Sequence, residues 1–270
     1  MQNYWNRVML SRLFAGIDLA QALTVIILIN VQSSFVNYAQ EFPLYYFLRH
    51  NNASNPGMSN SGYWLQTRFA RPFNIPTAIS VMLIVSTASQ IGISLYTATS
   101  DLTKEAIDYK FYDFGFTLII ILMSVAVQVG VTDIFTLVAI AVLTYFGVHL
   151  MIHALIMSEN DSSKADEIVQ TGAMILLSSW LIIIGTYALQ IAQDKNFPVY
   201  IHVILWIMWM FCVVFTQITR NDLLTRGEYR PRQVTTSHYD FMNMQYDVLF
   251  FLIRILFTWI VLGTVLAGTA

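Results

Sequence analysis

Ionisable side chains inside otherwise apolar segments are the residues of this sequence best suited to chemistry. Residues 246–268 read YDVLFFLIRILFTWIVLGTVLAG, a stretch long enough to cross a bilayer, and they contain Arg254. An arginine in mid-membrane costs about 2.5–3.5 kcal/mol on the lenient insertion scale, so it normally faces the bundle interior or water and has a partner. Arg254 therefore predicts a buried anion. Asp18 and Asp113 also lie in apolar segments.

The composition is that of a polytopic membrane protein. Of the 270 residues, 56% are hydrophobic and 11% are charged, with a mean hydropathy of +0.59, whereas an average soluble domain has about 25% charged residues. The net charge of −2 argues against nucleic-acid binding, and the single cysteine, Cys212, excludes an intrachain disulfide. The N-terminus leads into its apolar run without a small-residue cleavage site, so we interpret it as a membrane segment and not as a removable signal peptide.

Seven apolar segments predict one domain, residues 1–270, built as an all-α bundle of seven transmembrane helices. We place the spans at 13–31, 76–96, 111–131, 135–157, 168–191, 199–218 and 246–268. The long connection 32–74 has aromatic flanks around a turn-rich centre, which predicts a β-hairpin outside the membrane. Spans 3 and 4 are separated by only GVTD, so they must be antiparallel neighbours.

The distribution of lysine and arginine predicts the orientation of the bundle. Nine of these residues fall in the N-terminus and the connections on its side, and four fall in the connections on the other side. The positive-inside rule places the first group in the cytoplasm. We therefore expect a cytoplasmic N-terminus, an extracellular 32–74 loop and an extracellular C-terminus.

Asp113 is the expected partner of Arg254. Their spans run in the same direction and place the two side chains at comparable distances from the inner face. The alternative is that Arg254 extends its long stem to the inner interface and has no core partner. We expect the ion pair, and we expect that Arg254→Met would destabilise the protein by about 3–5 kcal/mol, since it strands a buried carboxylate.

The third and fourth spans, DFGFTLIIILMSVAVQVGVTDIFTLVAIAVLTYFG, and the seventh, YDVLFFLIRILFTWIVLGTVL, resemble those of the heliorhodopsins. In that family a carboxylate opens the third helix and a G-x-x-D-I turn leads into the fourth. The inverted orientation and the long loop after span 1 are also similar. The resemblance covers nearly the whole chain, and it implies a rhodopsin-like protein related to photoreceptors.

The resemblance implies roles for specific positions. Arg254 stands where heliorhodopsins have the lysine that forms a Schiff base with retinal, and Asp113 stands at the counterion position. Asp18 and Gln90 replace histidines of an inner polar cluster, and Trp259 is a candidate pocket residue. No lysine of this sequence lies inside a predicted span, and a guanidinium has no lone pair free to attack an aldehyde. We therefore expect no covalent retinal and a permanent Arg254–Asp113 pair in place of chromophore and counterion.

Other motifs carry weaker signals. His149 and His153 have the i, i+4 spacing of a chelating pair but lack an evident third ligand, so we expect no metal site. Asn52 opens an Asn-Ala-Ser glycosylation sequon in the long loop. The aromatic residues of span 6 either line a ligand pocket or form packing and interface contacts.

We expect a non-enzymatic sensory, signalling or assembly protein, because no nucleophile–base set or phosphate loop is evident. The alternatives are an ion or proton channel or transporter, and a protein that binds retinal or another apolar ligand without a covalent bond. The expected partners are the lipid bilayer and a second copy in a homodimer, with an unknown cytoplasmic protein as a further option. We expect the protein in a plasma membrane or in a viral or host membrane.

Overall fold

Seven helices and two strands make up the part of the chain that the structure, a computed structural model, describes: residues 2–31, 43–50, 64–99, 103–157, 162–193, 199–228 and 236–267. In chain order they are α1 (Gln2–Val31), β1 (Pro43–His50), β2 (Trp64–Pro72), α2 (Ile75–Thr99), α3 (Thr103–Gln128), α4 (Ile134–Met157), α5 (Ser162–Gln193), α6 (Val199–Glu228) and α7 (Thr236–Ala267). The predicted seven-helix membrane bundle is confirmed.

Six of the described helices are long and apolar enough to cross a membrane, and α3 contributes a shorter apolar segment, Tyr112–Gln128. Large apolar side chains such as Leu23, Ile27 and Met210 are about half exposed on the outside of the bundle. Exposed apolar side chains on helices of this length are expected for a protein whose outer surface contacts lipid. The predicted spans were too short at several ends, because the helices continue past the apolar segments; α1 and α7, for example, begin before residues 13 and 246.

The helices pack as a ring in chain order, and α7 closes it against α1. The third helix also contacts α6 and α7, so it lies on the inside of the ring. Side-chain contacts give the relative directions of the first two helices: Ser11 meets Gln90, whereas Asp18 meets Ser86. The numbering falls on one helix as it rises on the other, so α1 and α2 are antiparallel.

Local chemistry fixes where two of the helices begin. The Asn74 side chain accepts a hydrogen bond from the backbone N–H of Thr77 at 2.9 Å, and Asp133 accepts one from Thr136 at 2.8 Å. Both are N-cap contacts, which satisfy a backbone N–H that has no partner inside the first helical turn. They start α2 and α4 at the following residues.

The end of α3 is a Schellman motif. The N–H of Val131 donates to the carbonyl of Ala126 at 2.9 Å, and the N–H of Gly130 donates to that of Val127 at 3.1 Å. Gly130 has a φ of 99°, which glycine adopts without steric cost. This motif ends the helix at Gln128, before the predicted residue 131, and it turns the chain directly into α4.

Two glycines allow α4 and α5 to pack closely. A Cβ atom added to Gly147 would lie 2.9 Å from the carbonyl oxygen of Gly172, and one added to Gly172 would lie 2.8 Å from that of Gly147. Small residues at helix contacts are typical of membrane proteins, because backbones must approach closely to gain van der Waals energy. Thr144 and Ser179 lie within 3.4 Å of each other at the same contact.

The two strands pair in antiparallel register, with Tyr45 opposite Phe69 and His50 opposite Trp64. They lie within the connection between α1 and α2, in its two aromatic flanks. β1 also contacts α4, and its Leu44 side chain is buried in the core. That the hairpin lies outside the membrane on the extracellular side stays a prediction.

Aromatic rings fill the space between α3, α6 and α7. Phe114 stacks on Phe250 with 4.0 Å between ring centroids, and Phe215 lies 4.5 Å from Phe114. All three side chains are fully buried. Phe211 lies 6.0 Å from Phe114. Of the two roles considered for the aromatic residues of span 6, ligand binding and packing, Phe211 and Phe215 therefore have the packing role. This cluster holds α3 and α7 together next to Asp113.

Candidate functional site

Arg254 of α7 lies between two carboxylates in the interior of the bundle. Its Nη1 donates a hydrogen bond to Oδ2 of Asp113 at 3.2 Å, and its Nε lies 3.2 Å from Oδ2 of Asp18. The contact with Asp18 is an ion-pair contact without the alignment of a hydrogen bond. The side chains of Arg254 and Asp18 are 0% exposed and that of Asp113 is 1% exposed. Arg254 is therefore paired in the core and does not reach the interface.

Ser86 of α2 joins the two carboxylates. Its Oγ lies 3.2 Å from Oδ2 of Asp18 and 3.1 Å from Oδ2 of Asp113, and the residue is fully buried. With Arg254, these residues form a four-residue cluster contributed by α1, α2, α3 and α7, which we call the core cluster. It connects α7 to α1, α2 and α3, which are distant from α7 in sequence.

The core cluster has two carboxyl groups but a single guanidinium. The Oδ1 atoms of Asp18 and Asp113 and Nη2 of Arg254 are buried without a hydrogen-bond partner in the described structure. A third carboxylate, Asp247 of α7, is 6% exposed and interacts electrostatically with Asp113. Among the side chains that the structure describes, Arg254 is the only buried cation.

Hydroxyl groups extend the polar interior by one helical turn, and apolar residues follow them. Thr117 and Thr258 lie four residues after Asp113 and Arg254, and both are fully buried. Beyond them, the buried residues of α3 and α7 are mostly apolar, among them Ile121, Val125, Val261 and Leu262, whereas Ser124 and Gln128 of α3 are buried and polar. The interior faces of α3 and α7 beyond the two threonines are thus mostly apolar.

Gln90 belongs to a separate contact. Ser11 of α1 donates to Oε1 of Gln90 at 2.7 Å and lies 3.0 Å from its backbone oxygen. Gln90 is one turn along α2 from Ser86, so this contact lies beside the core cluster. The predicted inner polar cluster of Asp18 and Gln90 stays a prediction; Asp18 itself contacts Arg254 and Ser86.

Trp259 does not line the interior, so its prediction as a pocket residue is wrong. Its side chain is 51% exposed on the outside of the bundle. Five residues along an α-helix amount to a rotation of roughly 140° from the face of Arg254. The residues that share that face are Phe257, Thr258 and Val261, and all three are buried.

The weaker sequence candidates lie away from the core cluster. His149 stacks on Tyr145 with 5.7 Å between centroids and an interplanar angle of 7°, whereas His153 is exposed. Within the described residues, no three potential ligands converge on a metal position. Asn52 lies outside the described residues. A cleft of about 330 Å³ between α5 and α6 is lined by Trp180, Ile184, Tyr187, Leu205, Trp206 and Trp209.

Sequence reasoning missed two members of the core cluster. It treated Asp113 as the sole partner of Arg254, although α1 and α7 also run in the same direction and bring Asp18 within 3.2 Å. Ser86 gave no signal, because a serine in an apolar helix commonly bonds its own backbone. The available clue was the surplus of intramembrane carboxylates over cations.

A comparison with protein families identifies the family of this chain. The sequence profile of the heliorhodopsin family matches residues 7–266, which is nearly the whole chain. No curated protein matches the sequence significantly. The match includes every helix that contributes to the core cluster. The chain belongs to the heliorhodopsin family.

Proposed function

We propose that this heliorhodopsin works without covalently bound retinal, as a sensory, signalling or assembly component of its membrane. The core cluster takes the place of a chromophore and its counterion: Arg254 supplies the permanent cation and Asp113 the anion. The observation that carries this proposal is the buried 3.2 Å hydrogen bond from Arg254 to Asp113.

Arg254 does not fit covalent retinal attachment. Schiff-base formation needs a neutral amine, and a guanidinium stays protonated inside proteins. Arg254 also contacts carboxylates on two other helices, which hold its planar head in place. Lys164, a lysine whose side chain the structure describes, is exposed at the start of α5.

The proposed role is non-enzymatic and rests on assembly in the bilayer. Asp18, Asp113 and Arg254 are engaged with one another in the core cluster, which suits a structural or conformational role better than turnover of a substrate. We propose a homodimer to which the aromatic loop between α1 and α2 contributes. We propose the orientation that the positive-inside rule gives, with the N-terminus in the cytoplasm.

An absorption spectrum after incubation with all-trans-retinal tests the proposal. The purified protein is compared with Arg254→Lys, which supplies an amine, and with Arg254→Met, which removes the charge without supplying one. We expect visible absorption in the lysine variant only. That result would show that arginine at this position alone prevents pigment formation.

Two outcomes would contradict the proposal. Visible absorption of the unchanged protein would mean that it binds retinal without the lysine. Absence of pigment in Arg254→Lys, in a variant that remains folded and monodisperse, would mean that Arg254 does not occupy a chromophore position.

Ion or proton transport is the second candidate. Its support is the set of buried charged and hydroxyl groups from Asp18 to Thr258. Most buried residues that follow Thr117 and Thr258 are apolar, which opposes a continuous polar path, although Ser124 and Gln128 on α3 are polar. Proton flux into vesicles that contain the protein tests it: flux above that of empty vesicles, abolished in Asp113→Asn, would favour transport.

Non-covalent binding of retinal or another apolar ligand is the third candidate. The cleft between α5 and α6 supports it, since Trp180, Trp206 and Trp209 offer apolar walls. Quenching of tryptophan fluorescence by added retinal, reduced in Trp206→Ala, would favour this function. Unchanged fluorescence would exclude the cleft as its site.

A further inference from the structure

The hydroxyl of Ser86 lies near two carboxylate oxygens, although it has only one hydrogen to donate. It lies 3.2 Å from Oδ2 of Asp18 and 3.1 Å from Oδ2 of Asp113. A serine hydroxyl has one hydrogen and two lone pairs, so it donates one full hydrogen bond or shares its hydrogen weakly between the two oxygens. Both contacts are full hydrogen bonds only where one facing oxygen carries a hydrogen that it donates to Ser86. The bridge is therefore strongest with one protonated carboxyl.

The charges of the core cluster also indicate one bound proton. One guanidinium faces two carboxyl groups, and all three side chains are at most 1% exposed. Two ionised carboxylates would leave an uncompensated negative charge in the interior, which is costly, and like charges at one site resist joint ionisation. Asp247 of α7 is a further acidic residue that interacts electrostatically with Asp113. One bound proton makes the core cluster neutral.

The hydrogen bonds distinguish the two aspartates. Oδ2 of Asp113 accepts the aligned hydrogen bond from Nη1 of Arg254. Asp18 has the ion-pair contact with Nε, whose hydrogen is not directed at it. An ionised Asp113 that accepts from Arg254 and Ser86, with Asp18 as an acid that donates to Ser86, gives an acceptor to the Ser86 hydroxyl hydrogen, to the carboxyl hydrogen of Asp18 and to Nη1 of Arg254.

We propose that Asp18 and Asp113 form a buried binding site for one proton, which Asp18 carries at neutral pH and donates in a hydrogen bond to Ser86. Binding forms one O–H bond on Oδ2 of Asp18 and changes the charge of the core cluster from −1 to zero. The groups facing this site are Ser86 on α2, Asp113 on α3, and Asp247 and Arg254 on α7. The proposal is independent of retinal binding.

Infrared spectroscopy of the purified full-length protein at neutral pH tests the site. We expect a carbonyl band of a protonated carboxylic acid that is lost in both Asp18→Asn and Asp113→Asn, because either substitution leaves a single carboxylate to pair with Arg254. Asp247→Asn is the matched control and should retain the band. Ser86→Ala should retain it at a shifted frequency, since the acid loses its acceptor.

The variants also test which aspartate carries the proton. An amide resembles a neutral acid, so Asp18→Asn should keep the thermal midpoint close to that of the unchanged protein, while Asp113→Asn should lower it. The opposite order would overturn the assignment to Asp18. Absence of the band in the unchanged protein, or its survival in both aspartate variants, would overturn the site itself. An absent band together with a midpoint raised by sodium ions would mean that a metal cation balances the charge instead.

Discussion

Asp18 and Asp113, on two different helices, place their Oδ2 atoms within 3.2 Å of the same hydroxyl, that of Ser86, and of the same guanidinium. Arg254 thus balances charge and also connects α1 and α3 to α7. In a bilayer, where the hydrophobic effect does not drive helices together, such polar contacts help to fix which helices are neighbours. The core cluster is a structural centre of this heliorhodopsin as well as its candidate functional site.

Removal of the guanidinium should be strongly destabilising. We expect Arg254→Met to lower the free energy of unfolding by about 3–5 kcal/mol, because it leaves buried carboxylate charge without a cation. Arg220→Met is a suitable control: Arg220 forms an exposed pair with Asp166 at 3.5 Å, and such pairs contribute about 0–1 kcal/mol. Thermal unfolding in detergent measures both, and equal effects of the two substitutions would contradict the buried pair.

The two aspartates should be strongly non-additive. Each single Asp→Asn variant retains one carboxylate for Arg254, whereas the double variant Asp18→Asn with Asp113→Asn leaves the guanidinium buried and unpaired. We expect the double variant to lose about 3–5 kcal/mol, more than the sum of the single losses. A double-mutant cycle by denaturant or thermal unfolding measures the coupling. A coupling energy near zero would show that the aspartates act separately.

Close packing of α4 and α5 should not tolerate a methyl group at Gly172. Its Cβ would lie 2.8 Å from the backbone carbonyl oxygen of Gly147, which has little freedom to move. We expect Gly172→Ala to destabilise by about 1–3 kcal/mol through overpacking. Gly185→Ala, in the same helix with no atom within 4 Å of the added Cβ, should be neutral or stabilising. Equal thermal midpoints for the two variants would refute the close contact.

The N-cap of α4 should contribute measurably to stability. Asp133→Ala removes the acceptor for both the backbone N–H and the hydroxyl of Thr136, and we expect a loss of about 1 kcal/mol. Asp133→Asn preserves an acceptor oxygen and should lose less. Hydrogen exchange at the first turn of α4 gives a local measurement. An exchange rate that is the same in Asp133→Ala and the unchanged protein would argue against the cap.

The sequence by itself determined the fold class and the principal charge pair. The lengths of the apolar segments predict seven membrane helices because a helix must span the hydrocarbon layer and satisfy its backbone internally. The cost of an isolated arginine in lipid required a carboxylate partner for Arg254, and that requirement pointed to Asp113. Such arguments succeed because they depend on residue type and position along one helix.

The tertiary structure alone decided which residues converge and which faces point inward. The entry of Asp18 and Ser86 into the core cluster depends on the register of α1 and α2 against α7, and similar apolar sequences permit many registers. The rotation of α7 about its axis turned Trp259 outward, although the resemblance to the heliorhodopsins suggested a pocket residue. Helix direction and hydropathy leave both quantities open, because packing between helices sets them.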